Sequence, residues 1–185
     1  MSGGYNSGRQ HLNIAWVLPR PSSKYRGNMP LYCEEWLVNL ASDILERDEI
    51  SLVNLFCGMN ELGLRVDINP DVNPDICCDA HEFSKYVEYD SADVILADPP
   101  YSNALCKKLY PDICVRLKYK VWTAECEKVL SPGGILIVYH SHMMPNPNPK
   151  VFSVVKRVFI GTRVHHTPRV AVFYRKAFGV CIVRR

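Results

Sequence analysis

An α/β fold built on a mostly parallel sheet is what this sequence predicts. Three observations carry the prediction. Strand-length apolar runs, Ser51–Phe56, Ala92–Ala97 and Ile135–Tyr139, end in loop-forming residues. Stretches with the 3.6-residue period of a helix stand between or before them. Two β-rich runs, Val154–Ile160 and Arg169–Tyr174, follow at the end as an antiparallel pair. Strands alternating with helices are the pattern of an α/β sheet.

Residues 1–10 read as a tail, and 18–30, with three prolines and three basic residues, as a loop. The division this suggests is a tail and loop over 1–30 and a single domain over 31–185. Leu37, Leu40, Ala41, Ile44 and Leu45 recur on one helical face. The run Ser51–Phe56 is a buried strand leading into Cys57-Gly58. Short apolar pieces at Leu64–Ile68 and Ile76–Cys78 come next, then the strand Ala92–Ala97. Val115, Tyr119, Trp122, Cys126 and Val129 mark a second helix, which Pro132-Gly133-Gly134 stops before the strand Ile135–Tyr139.

With 185 residues, of which 48% are hydrophobic and 22% charged, the chain fits one domain with its own core and is not a disordered polymer. No apolar run reaches membrane-spanning length, and no signal-peptide pattern opens the chain. The eight cysteines lack paired zinc spacing and read as free thiols in a reducing cytoplasm. The net charge of +3 hides an asymmetry. Residues 128–185 hold ten Lys or Arg and no acid, whereas the first 127 residues hold 12 basic and 19 acidic residues. That grouping fits a surface for a polyanion such as nucleic acid, or a solvated basic edge.

In an open α/β sheet, ligands bind beyond the carboxyl ends of the strands. The first of the parallel strands runs into Phe56-Cys57-Gly58-Met59-Asn60, where Gly58 allows close backbone approach and Asn60 can take a left-handed conformation. The second ends at Asp67, placed to accept hydrogen bonds from a ribose or to serve as a solvated turn acid. The third ends at Asp79, placed to meet an adenine amine or to cap a helix. The fourth ends in Asp98-Pro99-Pro100-Tyr101, the most specific signal in the chain. Two prolines make a stiff turn with outward carbonyls and no N–H donors. A carboxylate, a rigid carbonyl and a ring suit a planar heterocycle bearing an exocyclic amine. The amine's lone pair is delocalised. Accepting both of its N–H bonds, through Asp98 and the Pro99 carbonyl, favours a pyramidal nitrogen able to attack a methyl group. Stacking on Tyr101 contributes ~1–3 kcal/mol per base, against the few kcal/mol needed to extrude a base from a duplex.

These strand ends, in this order, resemble the class I S-adenosylmethionine-dependent methyltransferases. Asp98-Pro99-Pro100-Tyr101 resembles the fourth motif of those acting on adenine N6 or cytosine N4. The resemblance covers about residues 51–140, and the end of the chain resembles the closing β-hairpin of that Rossmann-like fold. It implies S-adenosylmethionine as cofactor, with Phe56, Cys57, Gly58 and Asn60 along its methionine part, Asp67 on the ribose and Asp79 on the adenine. It implies Asp98, Pro99 and Tyr101 as catalytic residues. Pro100, Tyr101 and His140 are expected to contact the substrate. Lys24–Asn28 sits where these enzymes often place a cofactor-contacting segment.

The departures are specific. Asn54 replaces the usual acid of the first motif, Asn60 its second glycine, and eight residues between Gly58 and Asp67 leave room only for a shortened first helix. No segment is long enough for a separate target-recognition domain, so sequence readout falls to the N-terminal loop, the basic tail or a partner chain. His140-Ser141-His142 has metal-compatible spacing but no neighbouring Cys or acid, and His165-His166 fits a surface turn. The expectation is an enzyme methylating an exocyclic base amine, adenine N6 in DNA first. RNA bases, protein glutamine amides and a non-catalytic cofactor-binding subunit are the alternatives.

Overall fold

The computed structural model describes residues 13–15, 29–161 and 167–178. Eleven elements organise them. Strand β1 is Asn13–Ala15, helix α1 Leu31–Leu45, β2 Leu52–Leu55, β3 Leu64–Asp67, β4 Ile76–Cys77 and β5 Ala92–Ala97. Helix α2 is Asn103–Leu109, α3 Tyr119–Val129, β6 Leu130–His140, β7 Phe152–Ile160 and β8 Arg169–Lys176. The strands form one sheet in the order β1-β7-β8-β6-β5-β2-β3-β4. Only β8 runs against its neighbours, pairing antiparallel with both β6 and β7. The expected mostly parallel sheet with a C-terminal antiparallel hairpin is the observed architecture. Strand β1, inside the stretch read as tail and loop, adds to the edge of the sheet by pairing with β7.

Alternation explains the strands. Val94 and Leu96 of β5 face one core with Cys33, Leu37 and Ala41 of α1, while Ile95 and Ala97 face the other with Trp122, Cys126 and Val129 of α3. A strand buried on both sides reads as an unbroken apolar run, which is why Ala92–Ala97 stands out. Helix α1 ends at Glu46 in the left-handed region (φ 56°), and the Arg175 guanidinium donates to the Ile44 carbonyl at 2.7 Å. A cation there complements the helix dipole.

Three elements differ from expectation. Val115 lies outside α3, which begins at Tyr119. Helix α2, short and without an apolar period, carries no sequence signal beyond Ser102, whose hydroxyl accepts from the Leu105 N–H at 3.1 Å. The shortened first helix is absent altogether: β2 and β3 pair in parallel across a connection, residues 56–63, of turns and bends. Parallel neighbours ordinarily need a crossover of a dozen or more residues. Gly63 makes this one possible. It has φ 68°, and a Cβ there would lie 2.6 Å from the Leu52 carbonyl oxygen.

Arg65 braces the connection in place of the helix. Its guanidinium donates to the carbonyls of Asn60 (2.7 Å), Val72 (2.7 Å) and Asn73 (2.8 Å). Charged hydrogen bonds of this kind contribute about 1.5–3 kcal/mol each, and removing the donor orphans the carbonyls. Arg65→Met is therefore expected to destabilise the fold by ~2 kcal/mol, a fall of ~4–8 °C for a chain of this size. Thermal unfolding measures it, with faster amide exchange expected at 57–63; an unchanged midpoint refutes the brace.

Candidate active site

Register places the predicted residues together. Leu55 of β2 pairs with Val66 of β3 and with Ala97 of β5, and Asp67 pairs with Cys77 of β4. The carboxyl ends of four parallel strands thus meet at one edge. The chain leaves β2 toward β3 on one side, and β5 joins it on the other, so this edge is a topological switch point. A cleft opens there, enclosing about 870 Å³ including space open to solvent. Phe56, Asp67, Asp79, Asp98, Pro99, Pro100 and Tyr101 all line it, and Ile68, Ala80 and Leu117 add apolar wall.

Each acid is held by its surroundings. Asp67 accepts from the Gly58 N–H at 3.0 Å and the Asn69 N–H at 2.9 Å, which fixes it at the lip of the 56–60 turn. Asp79 accepts from the His81 N–H (2.9 Å) and pairs with His81 Nδ1 (2.8 Å), while His81 Nε2 accepts from the Lys118 N–H (2.9 Å). That pattern leaves the ring hydrogen on Nδ1, donating to Asp79. His81 thereby ties the third strand end to the start of α3.

The turn after β2 is strained in an informative way. Phe56 has φ 62° and Gly58 φ 53°, whereas Asn60, expected as the left-handed residue, does not adopt a positive φ. A bulky residue in that region costs of order 1–3 kcal/mol and persists where packing imposes it. Phe56 packs edge-on against Trp122, with centroids 5.5 Å apart.

Asp98 follows β5. It lines the cleft and is half-buried. Burial raises its pKa to about 8; a hydrogen bond with Tyr101 and the charge of Arg169 act in the opposite direction, and Glu34 reinforces the rise. Tyr101 is gripped on several sides. Arg169 lies over its ring, 4.6 Å from the centroid, and donates through Nε to its hydroxyl at 3.0 Å. His140 meets the ring edge-on, centroids 4.9 Å apart. Burial lowers the His140 pKa to about 4, with His142 and Arg169 adding to the shift. Its Nδ1 accepts from the His142 N–H at 3.1 Å, so the neutral ring carries its hydrogen on Nε2.

Not every expected site residue reaches the wall. Cys57, Gly58 and Asn60, in the turn that Phe56 opens, do not line the cleft, and Cys57 is a buried thiol whose pKa burial pushes up to about 12. His140, expected as a substrate contact, supports Tyr101 from behind and does not line the cleft. Among the described residues no group of three or more His, Cys, Asp or Glu could hold a metal ion. Lys24–Asn28, His165 and His166 lie outside the described residues.

The structure corrects the free-thiol reading at two cysteines and leaves Cys33, Cys57, Cys77, Cys78 and Cys126 free. Cys106 and Cys114, expected as free thiols, form a disulfide with Cα atoms 5.6 Å apart, because α2 and the turn after it fold back over the cleft. Within the basic stretch, Arg175 caps α1, Lys176 pairs with Asp90 (2.7 Å), Lys128 pairs with Glu125 (2.6 Å), and Arg169 holds Tyr101. Lys150 is exposed, and Lys156 and Arg157 are half-buried on β7. Arg163, Arg184 and Arg185 are outside the described residues. Four of the ten basic residues thus have partners within the fold, and the remaining described ones, Lys150, Lys156 and Arg157, stay at the surface.

Sequence reasoning passed over Arg169, Arg65, His81 and Glu34. Arg169 was visible only as one of many basic residues, and Glu34 only as a polar position on an amphipathic helix. Glu34 is fully buried at the start of α1 and accepts from the Asn54 side chain.

Neither a protein-family model nor a curated protein matches the sequence. Solved structures do match. TrmN from Thermus thermophilus aligns with a TM-score of 0.59 at 15% identity, over 83% of this chain and 51% of its own, so the present chain spans about half its length. N-methyltransferase NodS from Bradyrhizobium japonicum, in complex with S-adenosylhomocysteine, aligns at 0.53 and 14% identity, over 84% and 93% of the two chains. The Burkholderia thailandensis 1,6-didemethyltoxoflavin-N1-methyltransferase, with its substrate and S-adenosylhomocysteine bound, aligns at 0.51 and 10% identity, over 94% and 98%. The chain has the Rossmann-like fold of the class I S-adenosylmethionine-dependent methyltransferases.

Proposed function

We propose that this protein is an S-adenosylmethionine-dependent methyltransferase acting on an exocyclic base amine, with adenine N6 in DNA as first substrate. The observation that carries the reading is a single cleft at the switch point walled by Asp67, Asp79, Asp98, Pro99 and Tyr101 together. The donor set fits the cofactor. Asp67, at the end of the second parallel strand of the β2-β3-β4 group, is placed for ribose hydroxyls, and Asp79 for the purine amine. Ile68, Ala80 and Leu117 supply apolar contact for the ring between them. When bound, S-adenosylmethionine supplies an electrophilic methyl group on a sulfonium sulfur.

The remaining work belongs to the chain. Asp98 and the Pro99 carbonyl accept the two N–H bonds of the target amine, turning its lone pair toward the methyl carbon. Positioning and fixed acceptors of this kind lower the barrier without metal or covalent assistance from the protein. Tyr101 is held upright by Arg169 and His140 and stacks on the target ring with the face that Arg169 leaves. As the amine becomes cationic on methylation, Asp98 in its ionised form takes up the proton. Two of the fold's relatives are named as N-methyltransferases, which supports nitrogen as the acceptor atom.

Transfer of tritiated methyl groups to unmethylated DNA, total RNA and protein tests the substrate. Label in DNA, recovered as N6-methyladenine after digestion, is the expected result. Label confined to RNA or to glutamine amides moves the activity to those acceptors. No transfer by a chain that binds S-adenosylhomocysteine identifies a non-catalytic subunit.

A further inference from the structure

Glu34 is the least comfortable residue in the molecule. It stands in the first turn of α1, the helix whose Cys33, Leu37 and Ala41 enter the core, and has no exposed surface. Acidic side chains are almost never fully buried without a partner. One carboxylate oxygen accepts from the Asn54 side-chain amide, and Asn60 also bonds the group. The other, Oε2, has no hydrogen-bond partner among the described residues. The charged groups acting on it are repulsive: Glu35 raises its pKa, and Glu34 in turn raises those of Asp98 and Cys33. Burial is the larger cause, and the carboxyl sits at about 7. Among the described residues, none of the groups acting on Glu34 is the cation that a buried carboxylate calls for.

The position of Glu34 identifies the missing charge. Asn54 belongs to β2 and Asn60 to the turn that follows, so Glu34 backs the loop assigned to the methionine part of the cofactor. Its charge also acts on Asp98, which lines the cleft. An aliphatic amino-acid end laid along residues 56–60 carries one ammonium group to this corner. We propose that Glu34 is the carboxylate that receives the cofactor's α-ammonium, supplied from α1 because the strand position carries the amide of Asn54. This rests on the cofactor reading above. Because Glu34 has no exposed surface, its bond with Asn60 gives way as the ammonium enters, and the unpaired Oε2 makes that exchange favourable.

Calorimetric titration with two ligands tests it. S-adenosylhomocysteine carries the amino-acid end; 5′-methylthioadenosine is the same nucleoside thioether without it. Glu34→Gln is expected to weaken S-adenosylhomocysteine by about 10- to 100-fold, with 5′-methylthioadenosine binding unchanged. Glu34→Met, which keeps the volume and removes the acceptor, is made alongside, and the selective loss is read in each variant whose circular dichroism matches wild type. Unchanged S-adenosylhomocysteine affinity overturns the proposal, and so does an equal loss for both ligands, which makes Glu34 a structural carboxylate. A wild-type chain that binds neither ligand sinks the cofactor reading instead.

Discussion

Asp98→Ala is expected to lower methyl transfer by about a thousandfold and to leave S-adenosylhomocysteine affinity nearly unchanged. On the proposed role, the Asp98 carboxylate accepts a hydrogen bond that strengthens as the target nitrogen becomes pyramidal and charged. Its loss therefore falls on the chemical step and not on cofactor binding. The pH dependence adds a second reading of the same group. Its pKa stands raised to about 8, chiefly by burial, and only the ionised form accepts both the hydrogen bond and the proton. kcat/KM is expected to rise with pH and level off above about 8. Stability runs the other way. The folded state keeps a proton that the unfolded chain releases from near 3.8, so the contribution of Asp98 to stability is greatest at low pH and declines as pH climbs to about 8. Asp98→Asn removes this share of the decline while Glu34, raised to about 7, keeps its own, and the difference in melting midpoints between the two proteins from pH 5 to 9 measures it. Transfer that persists in Asp98→Ala, or a cofactor affinity that collapses with it, refutes the assignment.

The parts of this molecule that sequence discloses are those where one residue's environment is set by its neighbours along the chain. Ala92–Ala97 is apolar throughout because both faces are covered, and Leu37 and Ala41 recur because one face of α1 is. Asp67, Asp79 and Asp98 were found at strand ends because parallel strands of one sheet finish at one edge, whatever their side chains. What escaped depends on long-range partners. Arg169 meets Tyr101 across 68 positions, and Arg175 reaches the Ile44 carbonyl across 131. A basic run carries no mark of which of its members turn inward, so Arg169 and Arg175 could not be told from the cations that stay at the surface. Glu34 was hidden for the complementary reason: beside Glu35 it reads as the solvent side of a helix. Phe56 at φ 62° has no signal at all, since nothing in Leu55-Phe56-Cys57 asks for a left-handed residue. The fold is therefore more legible than the site, and the acids of the site more legible than the groups that tune them.

Asp67→Ala is expected to weaken S-adenosylhomocysteine by about a hundredfold or more, since hydrogen bonds to an ionised acceptor contribute about 1.5–3 kcal/mol each and a ribose offers two. The same carboxylate also holds the Gly58 and Asn69 N–H groups, at 3.0 and 2.9 Å, so the substitution both removes a ligand contact and loosens the 56–60 turn. Ligand-induced stabilisation separates the two effects. A ligand that binds only the folded chain raises its stability by RT ln(1 + [L]/Kd), so wild type gains several degrees in saturating S-adenosylhomocysteine. Asp67→Ala is expected to gain almost none, while its ligand-free midpoint falls only modestly. An equal ligand-induced gain in both proteins would mean that the ribose is held elsewhere. The cleft at the β2–β5 switch point would then lose its claim to the cofactor, and Asp98 its claim to the methyl group.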